Sequence, residues 1–307
     1  MKKALGYGIL ASFFFAFTFI LNRSMNLGGG YWLWSACLRY LFMLPMLAVL
    51  VWREHAWSHI QTEILRKPKR WILWSTVGFG LFYMPLTMAS IYGESWFVAA
   101  TWQLTIVAGV LLTPLFGRAV PVKNFLMSCL VLCGIFLLQV PNIRAGAMEN
   151  IFMPLVLILV AAFSYPLGNR KMMILSDLTT LQRVFGMTLC SMPFWLICSA
   201  VAFGRAGLPS GGQMVQSLAV ALFSGVIATI LFFKATDLVK ENPRQLAVIE
   251  ATQSGEVLFT LLGGILFLGD SVPDMLGLCG IFIVVVGMVG NSLVSQTNRS
   301  EERRVGK

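Results

Sequence analysis

The chain has 307 residues, of which 57% are apolar and only 12% charged, with a mean hydropathy of +0.78 and a formal net charge of +10. Soluble domains carry about 25% charged residues, so this composition excludes a water-soluble globular enzyme. The basic excess lies in short loops beside apolar blocks, which points to membrane topology and anionic lipid and away from nucleic acid.

The apolar residues fall into ten blocks: 4–21, 32–52, 71–91, 96–116, 123–140, 151–168, 182–203, 214–233, 245–267 and 273–292. Each is about 20 residues long, enough for a helix to cross a hydrocarbon core of roughly 30 Å. The pattern predicts an all-α integral membrane fold with ten transmembrane helices. The first block follows Lys2-Lys3 as a secretory signal would. It runs on to Asn22-Arg23-Ser24-Met25 without a small-residue cleavage site and has a counterpart later in the chain, so it reads as a retained first helix. The connection from Arg53 to Arg70 is basic and amphipathic and is expected to lie against the inner leaflet. The charged tail, 294–307, reads as cytoplasmic and disordered.

The halves of the chain repeat. Leu132-Cys133-Gly134-Ile135-Phe136 recurs as Leu278-Cys279-Gly280-Ile281-Phe282, and Ala16-Phe17-Thr18 followed by Asn22-Arg23 recurs as Ala162-Phe163-Ser164 followed by Asn169-Arg170. Ala100-Thr101-Trp102-Gln103 corresponds to Ala251-Thr252-Gln253. The expected units are 1–145 and 146–293, each with five helices. An odd number of crossings makes the second unit enter from the opposite side, so the repeats are expected to be inverted. With the N-terminus inside, nineteen of the 23 Lys and Arg residues fall on the inner side. By the positive-inside rule both termini are then cytoplasmic.

Catalytic and cofactor chemistry find no support. The chain has no GxxxxGK[ST] loop to hold a nucleotide, and its two histidines, His55 and His59, lie in the basic loop. The six cysteines all fall within apolar blocks and read as small buried residues. Metal, cofactor, disulfide and enzymatic activity are therefore not expected.

Ionisable groups in hydrocarbon cost roughly 2.5–3.5 kcal/mol on insertion scales and are functional candidates by default. Arg39, Glu250 and Glu256 are such groups. Glu256 lies near the expected midplane, where burial favours the protonated carboxyl, so it reads either as a proton-coupling or cation-binding group or as a structural acid. Glu250 is nearer the inner face, within reach of Arg244 or Lys240 as an ion pair. On a regular helix the two acids diverge by about 120° and would not meet one ligand unless the helix is distorted. Arg39 either neutralises a buried acid, the favoured reading, or recognises an anionic substrate group. Trp102, Gln103 and Gln253 are expected to line a cavity with an aromatic wall and polar floor, suited to lipophilic cations. Tyr83 with Pro85 and Tyr165 with Pro166 mark helix breaks near that cavity. Trp32, Trp34, Trp52, Trp71, Trp74 and Trp96 sit at block ends, as an interfacial belt would, and Glu94 reads as a solvated turn residue.

Tyr165-Pro166-Leu167-Gly168-Asn169-Arg170-Lys171-Met172, the run Glu250-Ala-Thr-Gln-Ser-Gly-Glu-Val257 and the stretch Leu261 to Asp270 resemble the drug/metabolite transporter superfamily, and within it a bacterial multidrug resistance efflux branch. The resemblance covers about residues 3–293 and implies a bacterial inner membrane. It implies a central cavity lined by both halves, alternately open to each side, and proton antiport in many members. The expected function is a secondary-active exporter of small organic molecules, drug-like and cationic compounds or metabolites. Its expected partners are a small-molecule substrate, protons and membrane lipid, with a monomer or dimer as the working form. The alternatives are an amino-acid or metabolite facilitator, in which Arg39 would face a carboxylate, and an intramembrane lipid-handling enzyme or scramblase.

Overall fold

In the computed structural model, residues 1–117, 119–144, 149–239 and 241–305 are described, and no strand occurs among them. Long apolar segments in lipid must satisfy every backbone N–H and C=O within themselves, and the helix does this without a partner.

The chain forms α1 (Lys2–Leu27), α2 (Trp32–Arg53), the short amphipathic α3 (Trp57–Arg66), α4 (Pro68–Ala89) and α5 (Ser95–Leu111). After these come α6 (Val122–Arg144), α7 (Glu149–Leu175) and α8, whose parts Thr180–Cys190 and Met192–Ala206 meet at a 45° bend. The second half ends with α9 (Gly211–Asp237), α10 (Pro243–Ala251 continuing through Thr252–Ser254 and Gly255–Gly263 to Gly264–Leu268) and α11 (Met275–Val305). Each of the ten apolar blocks is therefore helical.

By length and composition, eight of the helices can cross a membrane, and α8 makes a ninth when its bent halves count as one span. The ten-span expectation meets a shorter element in α5, which at 1.5 Å per residue is roughly 26 Å long. The expected unit boundary near 145 lies outside the described residues. The tail expected to be irregular is helical backbone as far as Val305, continuous with α11.

Helix ends follow local chemistry. Gly117, closing the 3₁₀ turn Thr113–Phe116 that follows α5, and Gly269, at the end of α10, both take the left-handed conformation, with φ of 73° and 70°. Only a residue without Cβ adopts this freely, and it stops a helix within one residue. Thr179 caps α8 with a reciprocal Gln182 box. α6 and α11 pack closely because glycines face side chains across the interface: Gly287 meets Val131, and Gly290 meets Met127.

Several expectations about aromatic residues are corrected. Trp71, Trp34 and Trp96 are buried rather than interfacial, because each indole N–H finds a carbonyl on a neighbouring segment: Glu63 at 3.0 Å, Gly207 at 2.8 Å and Ser271 at 3.1 Å respectively. Trp52 is exposed, as a belt residue would be. The helices are not broken at Pro85 or Pro166, since α4 runs on to Ala89 and α7 to Leu175. The distortion in α4 is instead the wide π turn Thr76–Gly80, where Gly78 packs against Gly168 of α7.

Candidate functional site

A cavity of about 520 Å³ opens between the helices. α1, α2, α4, α5, α7, α8, α9, α10 and α11 all contribute to its wall. The lining runs from Trp102 and Gln103, halfway along α5, to Thr180 at the start of α8, Phe233 near the end of α9 and Asn291 in α11. Those last positions lie on the face from which α1 starts, so the cavity extends toward the face carrying the N-terminus.

The acidic side of the cavity comes from α10. Glu250, Gln253 and Glu256 all line it. A regular helix would have turned the two acids about 120° apart. The segment Thr252–Ser254 is a 3₁₀ turn, and at about 120° per residue it reduces that divergence to about 60°. Thr252 Oγ1 and Ser254 Oγ tighten this turn by donating to the carbonyls of Ile249 (2.6 Å) and Ala251 (2.8 Å). The glycines of this helix are explained by packing: a Cβ on Gly255 would stand 2.7 Å from Ser12 Oγ, and one on Gly263 would run into the side chain of Ile20. The Glu256 carboxylate has no hydrogen bond or ion pair within 4.0 Å among the described residues. Lys240 and the Arg244 side chain, the expected partners of Glu250, lie outside the described residues.

Facing this side is a basic group with no acid bonded to it among the described residues. Arg39 is only 8% exposed. Its Nη1 donates to Thr18 Oγ1 at 3.1 Å and its Nη2 to Ser224 Oγ at 3.4 Å, while Thr18 and Ser224 bond each other at 2.5 Å. The guanidinium carbon lies 4.2 Å from the centroid of the Tyr83 ring, within cation–π range. Among the described residues no carboxylate lies within 4.0 Å of Arg39, whose charge acts on the buried Glu256 across the cavity without a direct bond. Tyr83 itself is fully buried and absent from the cavity wall. It stands behind Arg39, with its hydroxyl held by Asn22 Nδ2 at 3.0 Å.

The aromatic wall joins three helices. Phe82 of α4 packs against Trp102 of α5, with ring centroids 5.0 Å apart, and against Tyr165 of α7, at 4.7 Å. Trp102 and Tyr165 meet edge to face at 5.9 Å, and all three line the cavity. Gln103 is buried and donates to the Ala99 carbonyl at 3.1 Å, while Gln253 Nε2 is buried without a hydrogen-bond partner among the described residues. The structure thus brings Arg39, Trp102, Gln103, Tyr165, Glu250, Gln253 and Glu256 onto one cavity and leaves out Tyr83. Sequence reasoning missed Phe82, Thr18 and Ser224. One Phe among 23, and single hydroxyls in apolar helices, carry no signal of their own.

On the opposite face the helices are sealed by polar contacts. Asp270, after the left-handed turn that ends α10, accepts from Ser95 N at 2.9 Å and Ser95 Oγ at 2.5 Å, and Arg23 Nε lies 4.0 Å from its other oxygen. Arg23 also donates to the Ser90 carbonyl at 3.3 Å. Glu94, expected to be merely solvated, accepts from the Ser271 amide at 3.1 Å and from the Ser271 hydroxyl. The α4–α5 turn, the α10–α11 turn and the end of α1 are thereby tied together.

The comparisons with known proteins agree with this architecture. A family model described as "EmrE: Putative multidrug resistance efflux transporter" matches residues 2–297. The chain is 46% identical to the uncharacterized protein YjlA of Bacillus subtilis (strain 168), over 98% of each chain. It is 44% identical to an uncharacterized 42.1 kDa protein of Shouchella clausii, over 83% of this chain and 70% of that one. A crystal structure of another protein superposes with a TM-score of 0.64 at 14% sequence identity, covering 97% of this chain and 99% of the other, a likeness of fold alone.

Proposed function

Because the chain belongs to this family of multidrug resistance efflux transporters, a family of transporters and not of enzymes, we propose that it exports small organic molecules across the bacterial inner membrane by alternating access. The single observation that carries the reading is the cavity of about 520 Å³ shared by nine helices, extending to one face and sealed from the other by the Asp270 and Glu94 contacts. This is the form expected of a state open to the inside. The charge asymmetry of the loops supports the reading in which the open face, together with both termini, is cytoplasmic.

The ten helices then form two inverted five-helix units, with α5 as a short span. The shared left-handed glycines Gly117 and Gly269 at corresponding helix ends support that reading. Substrate lies against the Phe82, Trp102 and Tyr165 rings, which suit lipophilic and cationic bodies. Glu256 is the coupling group: it holds a proton or a cationic group of the substrate, but not both, so inward proton movement drives export. One chain encloses the whole cavity, so a monomer suffices.

The test is solute flux in proteoliposomes of the purified full chain, loaded with a panel of lipophilic cations and metabolites under an imposed pH gradient. Gradient-driven flux of one class above empty liposomes is the expected result. Flux that ignores the gradient removes proton coupling. Lipid flip-flop without solute movement removes the exporter reading itself.

A further inference from the structure

Two cations share one aromatic ring at the end of the bundle that carries the cavity mouth. The start of α4, the end of α5 and the end of α7 meet there. Gly168 lets α7 close on α4, because a Cβ at that position would meet Gly78 and stand 2.9 Å from the Trp74 carbonyl oxygen. One turn further on, Lys171 is brought over α4, its Nζ 5.7 Å from the centroid of the Trp74 ring. The same Nζ lies 5.0 Å from the centroid of Phe116, which the 3₁₀ turn Thr113–Phe116 places beside α7. Arg170 stands 5.7 Å from that ring as well, and its Nη2 lies 3.4 Å from where a Gly109 side chain would begin.

Aromatic faces attract a cation but leave its charge in place. Among the described residues neither Arg170 nor Lys171 makes a hydrogen bond or an ion pair. The nearest acid along the chain, Asp177, is exposed and pairs with neither, and no acid among the described residues acts on Arg170 from further off. Both side chains are half-buried, so their nitrogens stay within reach of a ligand. Two like charges held against one ring, with their bonding positions open, call for an anion between them.

The surroundings say which anion. Leu115, beside Phe116, and Ile174, one turn beyond Lys171, are 65% and 73% exposed. On a membrane-spanning bundle such side chains meet acyl chains. Paired cations at helix ends above an apolar flank match a phospholipid with a negative head group. The guanidinium fork takes two phosphate oxygens and the ammonium a third.

We propose that the α4–α5–α7 junction binds an anionic phospholipid, its phosphodiester bridging Arg170 and Lys171 and its acyl chains lying along Leu115 and Ile174. The site is separate from the central cavity, whose wall includes none of Trp74, Phe116, Arg170 and Lys171. Its three helices nevertheless carry Phe82, Trp102 and Tyr165, so a seated lipid joins the helices of the aromatic wall at the mouth. The assignment goes beyond the exporter reading and does not depend on it.

The test is native mass spectrometry of the detergent-purified full chain, titrated with phosphatidylglycerol and with phosphatidylcholine of the same acyl chains. The wild type is expected to retain phosphatidylglycerol roughly tenfold or more over phosphatidylcholine. Arg170→Gln combined with Lys171→Gln should remove that preference. Lys2→Gln combined with Lys3→Gln makes the same change of charge at exposed positions on the same face, and should stay within about twofold of wild type. Inorganic phosphate and glycerol phosphate should not displace the lipid. In the wild type, a phosphatidylglycerol with a photoactivatable diazirine in its acyl chain should label 109–117 and 166–175, which decides the matter even if the Arg170 and Lys171 variants do not fold. Equal retention of the two lipids, equal losses in the two double variants, or labelling confined to other segments overturns the proposal. Displacement by glycerol phosphate overturns the lipid and makes the junction a site for a soluble phosphate.

Discussion

Gly134 and Gly280 occupy each other's missing side-chain space. A Cβ on Gly134 would stand 2.8 Å from the carbonyl oxygen of Gly280, and a Cβ on Gly280 would stand 2.8 Å from that of Gly134. The two residues are the centres of the repeated Leu-Cys-Gly-Ile-Phe runs, so the repeat meets itself where α6 crosses α11. A reciprocal contact between equivalent residues is what a two-fold relation between the halves produces. Neither obstacle can rotate away, because both are backbone atoms. Gly134→Ala and Gly280→Ala are each expected to destabilise the protein by about 1–3 kcal/mol, as overpacking does. The two effects should be similar in size and less than additive when combined, since one contact is being lost. Gly6→Ala, with nothing within 4 Å of its Cβ, is the control and should be neutral or stabilising. Thermal melting in detergent measures all four variants. A Gly134→Ala protein that melts no lower than Gly6→Ala would remove the close crossing.

The Ser95–Asp270 contact joins the start of α5 to the turn after α10, on the face away from the cavity mouth. If export requires that face to part, fixing it shut stops transport without disturbing the cavity. In a background with the six native cysteines replaced, Ser95→Cys with Asp270→Cys should cross-link under mild oxidant and lose nearly all flux. Reductant should restore it. Binding of substrate from the open side should persist in the cross-linked form, since the cavity lies elsewhere. Wild-type flux through a fully cross-linked protein would show that this seal does not open during transport.

How legible all this was in the sequence depends on the range of the forces involved. The helices were readable because each block length reports the thickness of the solvent it must cross, a local property. The cavity members Trp102, Gln103, Gln253 and Glu256 stood out because polar or large aromatic groups in hydrocarbon are costly. Their meeting with Phe82, Thr18 and Ser224 was not readable, since these are ordinary residues until tertiary packing brings them together. The direct contacts of Arg39 were not readable for the same reason: packing gave it two hydroxyls and the ring of Tyr83, with Glu256 acting on it only across the cavity. Regular-helix geometry also misplaced Glu250 relative to Glu256, because three residues of 3₁₀ turn, supported by Thr252 and Ser254, change the facing of everything beyond them. Tyr83 and Glu94 were judged by depth and position alone, whereas Asn22 and Ser271 decide what they do.

Trp102 offers a separate measure of the cavity's aromatic wall. It packs against both Phe82 and Tyr165 on the cavity wall, so its removal takes one face from any ring or cation bound there. Such contacts are worth about 0.5–2 kcal/mol. Trp102→Ala should therefore weaken binding of an aromatic or lipophilic-cation ligand roughly tenfold, with Trp102→Phe intermediate. Trp57→Ala, at an exposed site on α3, should leave binding unchanged. Titration of purified variants with one fluorescent ligand would make the comparison. Equal losses at Trp102 and Trp57 would place the ligand outside this wall.

Glu256 sets the expected response to pH. A proton and a substrate ammonium compete for the same carboxylate, so apparent affinity should fall as the pH on the cavity side falls. The sign is opposite to that expected if the proton were co-bound with the substrate. Glu256→Gln removes both the proton site and the charge, so its binding should be weaker at high pH and flat across the range. Net flux down a substrate gradient should survive in this variant, while uphill movement driven by an acidic lumen in inside-out vesicles should fall at least tenfold. Glu250 shares the cavity and is the alternative seat of coupling, so Glu250→Gln is measured in parallel. Retention of the wild-type pH slope in Glu256→Gln, with its loss in Glu250→Gln, would transfer the role one turn and a half toward the cavity mouth. Retention in both would remove α10 from proton coupling altogether.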